Sequence, residues 1–169
     1  LAWLDARSLW LPDALTLPDQ WILSRLQKTI AEVSAHMEDG DFGPSANRIY
    51  EFTWSEFCDW YIELVKNRLY GNETEDSRKT AQYVLCHVLQ GTMELLHPFM
   101  PFITETIWQK LPHQGESIMI APWPKADESL INSETEREMT AVMEVVKAVR
   151  NLRAEVNVSP GKKCDVILK

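Results

Sequence analysis

Glycine is scarce in this chain, with six residues in 169, and none of them builds a loop of the kind that cradles phosphates. Neither the dinucleotide fingerprint nor the phosphate-binding loop occurs, which removes the commonest nucleotide-using designs. Cysteine is scarcer still. Cys58, Cys86 and Cys164 lie far apart, are odd in number and form no CxxC pair. A disulfide framework finds no support, and the expectation is buried thiols in a reducing, cytoplasmic compartment. The four histidines (His36, His87, His97 and His113) are isolated. Cys86 and His87 are neighbours, so on a helix they point about 100° apart and are poorly placed to share a metal. No apolar run approaches the roughly 18 residues of a membrane span, and no basic stretch followed by an apolar core opens the chain. No membrane association is expected. Positive charge is in the minority, 17 Lys and Arg against 25 Asp and Glu, for a net charge of −8. That counts against a chain devoted throughout to nucleic acid but leaves room for a local basic face.

What the chain does have is helical periodicity. It is 45% hydrophobic and 25% charged, and long enough to bury one core. An irregular lead-in with at most one helical turn is expected over residues 1–17. Pro18 suits the opening turn of a helix, where a missing N–H costs nothing. Ile22, Leu26, Ile30, Val33 and Met37 then form one stripe to about Glu38, opposite a wet face of Arg25, Lys28 and Glu32. Gly40 supplies the left-handed residue that ends this helix. A second helix, Pro44 to Tyr70, carries a broad apolar band that includes Trp54, Phe57, Trp60 and Tyr61, with Phe52 and Cys58 widening it. Apolar over most of its circumference, it is expected to be central and buried by several neighbours. A third helix runs from about Thr74 to Leu96 and stops before His97-Pro98. Pro101 begins a fourth that reaches Leu111. Ser133 with Glu136 fits a capping box for a fifth, to about Glu155, whose stripe is Met139, Val142, Met143, Val146 and Val149.

Ser117–Ile120 alternates and reads as a strand, with Cys164–Leu168 as its partner. The fold class expected is therefore mainly α: an antiparallel helix bundle with a small two-stranded β ribbon. Residues 18–111 form the core bundle, and residues 112–169 supply the ribbon and the fifth helix of the same domain. The chain opens without methionine and closes on Val166-Ile167-Leu168-Lys169, an unfinished strand, so a piece of a larger protein is expected.

The search for catalytic chemistry is mostly negative. Asp59 and Glu63 share a helix face, but Lys66, three residues after Glu63, explains them more cheaply as surface ion pairs. His87 and His97 read as packing residues. Basic residues are more informative. Arg25 and Lys28 share one face, Arg48 starts the second helix, Lys66, Arg68, Arg78 and Lys79 bracket the turn after it, and Arg150, Arg153, Lys162 and Lys163 gather late. An RNA-binding face needs some of these to converge, with aromatic or polar groups nearby to meet splayed bases.

From Trp54 to Tyr70 the sequence WSEFCDWYIELVKNRLY resembles valyl-tRNA synthetases. So does WILSRL at Trp21 to Leu26. LLHPFMPFITETIWQKL, Leu95 to Leu111, is similar to the helix junction shared by the valyl, isoleucyl and leucyl enzymes. SIMIAPWP (Ser117 to Pro124) and VRNLRAEVNVSPGKK (Val149 to Lys163) resemble the segments next in line in the valyl family, in the same order and spacing. FCDWYIEL tips the choice towards valine. The resemblance implies the anticodon-binding domain of a class I aminoacyl-tRNA synthetase, a non-catalytic fragment that holds an anticodon stem-loop of tRNA(Val). It implies a monomeric parent that activates valine with ATP and Mg²⁺ in a catalytic domain absent here, and no cofactor within the fragment. An RNA role is carried over to Arg25, Lys28 and Arg48. Gln20 departs from the family, which commonly has arginine before the WILSRL tryptophan, so a charge is missing there. The competing expectation is a helical protein-interaction module without RNA binding, motivated by the net negative charge.

Overall fold

The computed structural model describes residues 15–71, 73–159, 161–163 and 165–166. Among them are five helical rods and no strand. The rods are α1 (Leu17–Glu38), a long second rod, α4 (Glu75–Leu96), α5 (Pro101–Trp108) and α6 (Ser133–Glu155). The second rod is one continuous helix in three registers: α2 (Phe42–Glu51), a π-helical stretch (Phe52–Ile62) and α3 (Glu63–Leu69). Its backbone stays in the right-handed region across both junctions, with φ/ψ of −59°/−48° at Phe52 and −66°/−41° at Glu63.

The helix ends follow local chemistry. Thr16 caps α1, its N–H held at 3.0 Å by the Asp19 carboxylate. Gly40 and Gly71 take φ of +79° and +82° just beyond their helices, a conformation that a side chain would strain. The capping box expected at Ser133 and Glu136 does not form. Asn132 is the cap, its Oδ1 accepting from the N–H groups of Glu134 and Thr135 at 3.0 and 3.1 Å, while Glu136 is engaged elsewhere.

The hub is α1 rather than the second rod. It packs against α2, the π-helical stretch, α4 and α6. Trp21, Ile22, Leu23, Leu26, Ile30 and Val33 are buried, and small polar residues (Ser24, Thr29) are buried between them. Short side chains let neighbouring helices approach from several sides. The second rod keeps one wet face, because its register changes. In a π-helix each turn holds more residues than in an α-helix, with i to i+5 hydrogen bonds. Phe52 and Phe57, five apart, both reach the core with Tyr61 and Val65. Trp54 is consequently turned out, 51% exposed, where Phe57 is 4% exposed. Trp60 is half-buried.

The expected ribbon is corrected. Ile118–Ile120 forms a single 3₁₀ turn and has no strand beside it among the described residues. Glu105 holds that turn, its Oε2 accepting from Ser117 Oγ at 2.8 Å and from the Ile118 N–H at 3.1 Å. Ile118 packs with Met93 and Trp108 in a second, smaller core. The partner strand proposed for Cys164–Leu168 and the lead-in up to residue 14 lie largely or wholly outside the described residues. The segment between α5 and α6 is tied down to α1: Trp123 Nε1 donates to Ser34 Oγ (2.8 Å), the Asp127 N–H to Gln27 Oε1 (2.9 Å) and the Asn132 N–H to Ser24 Oγ (2.9 Å).

Candidate nucleic-acid interface

Arg25, Lys28 and Arg48 do converge, at the junction of α1, the second rod and the first turn of α6. Three carboxylates converge with them. Glu56, on the π-helical stretch, accepts a two-pronged contact from Arg25, Nε to Oε2 at 2.6 Å and Nη2 to Oε1 at 3.0 Å, and a third from Arg48 Nη1 at 3.3 Å. Arg48 Nε also donates to Glu32 at 2.5 Å. Glu136 accepts from Lys28 Nζ at 2.7 Å and from Ser24 Oγ at 2.5 Å, with Arg25 Nη1 3.5 Å away. Three cations meet three anions, so the cluster is neutral. The hydrogen bond to Glu56 pushes the Arg25 guanidinium above its ordinary pKa, outweighing burial, which acts the other way. Burial alone would raise the Glu136 carboxyl, but the hydrogen bonds from Lys28 and Ser24 and the charge of Arg25 hold it below its ordinary value.

A second ionic cluster removes Arg68 from the surface. Arg68 Nη1 meets both oxygens of Asp19, at 2.9 and 2.8 Å, and its Nε and Nη2 donate to Ser77 Oγ and the Ser77 carbonyl at 2.9 and 3.0 Å. The Tyr61 hydroxyl donates to Asp19 at 2.6 Å. Burial, with the Asp19 charge beside it, pushes the Tyr61 phenol far up, so it remains a donor. Several other early candidates are accounted for locally. Lys66 pairs with Glu63 at 2.5 Å and Arg78 with Glu75 at 3.6 Å. His97 Nδ1 lies 2.8 Å from Thr104 Oγ1. His87 stacks on Tyr83, and burial lowers its pKa. The Cys58 and Cys86 thiols are free, and burial pushes both up. No group of three or more His, Cys, Asp or Glu suited to a metal ion occurs among the described residues, and no helix among them is long and apolar enough to cross a membrane.

Two cations are held in another way. Lys147 and Arg150, one turn apart on α6, both lie over the Trp60 ring, with Nζ 5.8 Å and Cζ 5.9 Å from its centroid. Neither forms an ion pair among the described residues. Attraction to the ring face holds positive charge without neutralising it. Farther up the second rod, Tyr50 and Trp54 pair edge to face at 6.1 Å, and both are exposed. The sequence had flagged Arg150 only as one of a late basic group, and Lys147 not at all. A tryptophan contact between residues 87 or more positions apart leaves no local signal.

The described residues form a helical bundle that exposes aromatic rings beside cations outside any ion pair. A family model described as the anticodon-binding domain of tRNA ligase matches residues 19–168, and the chain belongs to that family. Among curated relatives, the valine–tRNA ligase of Carboxydothermus hydrogenoformans is 53% identical over 156 residues, covering 92% of this chain and 18% of the relative. The valine–tRNA ligase of Geobacillus stearothermophilus is 50% identical over 154 residues, covering 91% of this chain and 17% of the relative. That of Fervidobacterium nodosum is 50% identical over 155 residues, covering 92% of this chain and 17% of the relative. The chain thus spans less than a fifth of the length of the relatives it matches.

Proposed function

We propose that this chain is the anticodon stem-loop recognition domain of a valine–tRNA ligase, a cytoplasmic and monomeric enzyme that joins valine to tRNA(Val). The observation that carries the reading is the match across residues 19–168 to the anticodon-binding family, with valine–tRNA ligases about half identical throughout it. Recognition of this kind divides into phosphate contacts that position and base contacts that select. Lys147 and Arg150 suit the first role, and the Tyr50–Trp54 pair suits stacking against splayed bases. Arg25, Lys28 and Arg48 belong to the proposal in a conditional form. Each must exchange a carboxylate for a phosphate, and Glu56 and Glu136 would be released as RNA arrives. ATP and Mg²⁺ serve the catalytic part of the parent chain. No chemical step is assigned to the residues of this chain.

The test is binding of a valine-type anticodon stem-loop as a function of salt. Affinity falls with salt in proportion to the phosphates neutralised, and each lost phosphate contact lowers the slope of log K against log[salt] by about 1. The variant Lys147→Ala/Arg150→Ala is expected to bind more weakly with a slope reduced by about 1 to 2. A folded chain that does not bind at low salt would favour a protein-interaction module instead. A double variant with an unchanged slope would move the phosphate contacts elsewhere. The chain alone should give no valine-dependent exchange of pyrophosphate into ATP, whereas the full-length ligase should.

A further inference from the structure

The sequence assigns α6 one apolar stripe, and the structure splits it into two. Met139 is buried, and Met143 packs against the main core. Val142 is turned away from them. It begins a second row, Val142, Val145, Val149, Leu152 and Val156, that recurs in steps of three and four. Four of the five are 39 to 61% exposed, and the exposed residues beside the row include Ala141 and Ala148. Alternating steps of three and four are the spacing of a helix–helix seam, and small flanking residues let a second helix approach closely. A helix with two apolar faces is built for two neighbours. Among the described residues α6 packs chiefly against α1, with Lys147 and Arg150 reaching over Trp60 of the second rod.

We propose that this second face of α6 is covered by a helix from the part of the same full-length ligase that lies outside these 169 residues. The inference rests on the ligase reading above. Three observations select that occupant. The relatives are more than five times longer than the matched region, which spans 17 to 18% of them, so ample chain lies outside it. The row covers only two heptads, below the three or four that sustain a coiled coil by themselves. A second copy of this chain would therefore hold weakly, whereas a tethered segment acts at an effective concentration in the millimolar range. The backbone beyond α6 also turns back towards it. Asn157 adopts φ of +53°, the Val158 N–H reaches the Arg153 carbonyl at 2.9 Å, and Arg153 Nη2 donates to the Ser159 carbonyl at 2.8 Å.

The test is alkylation of Leu152→Cys, monitored at peptide level in the isolated chain and in the full-length ligase. The introduced thiol is expected to react freely in the isolated chain and at least about tenfold more slowly in the ligase, as burial behind a docked segment requires. Equal rates in the two proteins would overturn the proposal. So would protection of the isolated chain that grows with its concentration, which would assign the face to a second copy, or protection that appears only on adding tRNA. A second variant, Leu152→Glu, is expected to lower the melting temperature of the full-length protein and leave that of the isolated chain unchanged. No change in either also counts against docking. Valine charging by the unmodified full-length protein is measured alongside. If charging fails while the introduced thiol is protected, the ligase reading fails and the docking stands; the reverse result separates them the other way.

Discussion

Asp19 accepts hydrogen bonds from the Thr16 N–H and hydroxyl, the Tyr61 hydroxyl and the Arg68 guanidinium. Its side chain has no exposure to water and that of Arg68 almost none. Two buried charges are tolerable in this way because each is paired and its remaining hydrogen-bonding capacity is met. Removing one partner leaves the other buried and uncompensated. Asp19→Ala or Arg68→Ala should therefore destabilise the fold by about 3–5 kcal/mol, read as a lower urea midpoint with an unchanged slope. A loss below about 1 kcal/mol, the worth of a surface ion pair, would mean the pair is hydrated in solution. In the sequence Arg68 is only one of the basic residues bracketing the turn after the second helix, because its carboxylate partner is 49 residues away.

The second rod makes a sharper prediction at the scale of the element. A 3.6-residue period places Trp54, Phe57, Trp60 and Tyr61 in one apolar band and makes each essential to packing. The π register separates them. Phe57→Ala opens a cavity in the main core and should cost about 3–5 kcal/mol, whereas Trp54→Ala removes a largely exposed ring and should cost well under that, within about 1 kcal/mol. Equal losses in thermal or chemical denaturation would show that the rod is α-helical throughout. The helices themselves were legible in the sequence, because their ends are marked by residues with one local meaning: Gly40, Gly71, and Pro98 after His97. The register was not, since a run rich in aromatics satisfies a period of 3.6 and a wider one alike. The mistaken strand at Ser117–Ile120 has a related cause. Four alternating residues look the same in a strand and in an anchored turn, and only the Glu105 side chain decides between them.

For the molecule as a whole, the candidate interface was half legible. The sequence put Arg25 and Lys28 on one helix face and left open whether Arg48 meets them; the three side chains join one ionic cluster. Their neutralising partners were hidden by distance along the chain, 108 residues in the case of Lys28 and Glu136. That pairing makes stability depend on pH. The Glu136 carboxyl is held below its ordinary value near 4.5, as are Glu105, by Gln109 and Ser117, and Asp127, by Ser129. Each contribution is present above the ordinary carboxylate range and is lost as pH falls through the lowered value. Glu94 opposes them, because burial raises it and protonation relieves that cost, but at higher pH. Stability should therefore drop on acidification below about pH 4.5. Glu136→Gln should be less stable at neutral pH and flatter across the acid range; an equally steep profile would assign the loss to other groups. The buried lock at Asp19 has a mechanical consequence as well. It joins the first turn of α1 to the far end of the second rod and the start of α4. Tension applied at the start of α1 would load the Asp19–Arg68 pair and its Ser77 anchor before it reached the apolar core, so the bundle is riveted at that end.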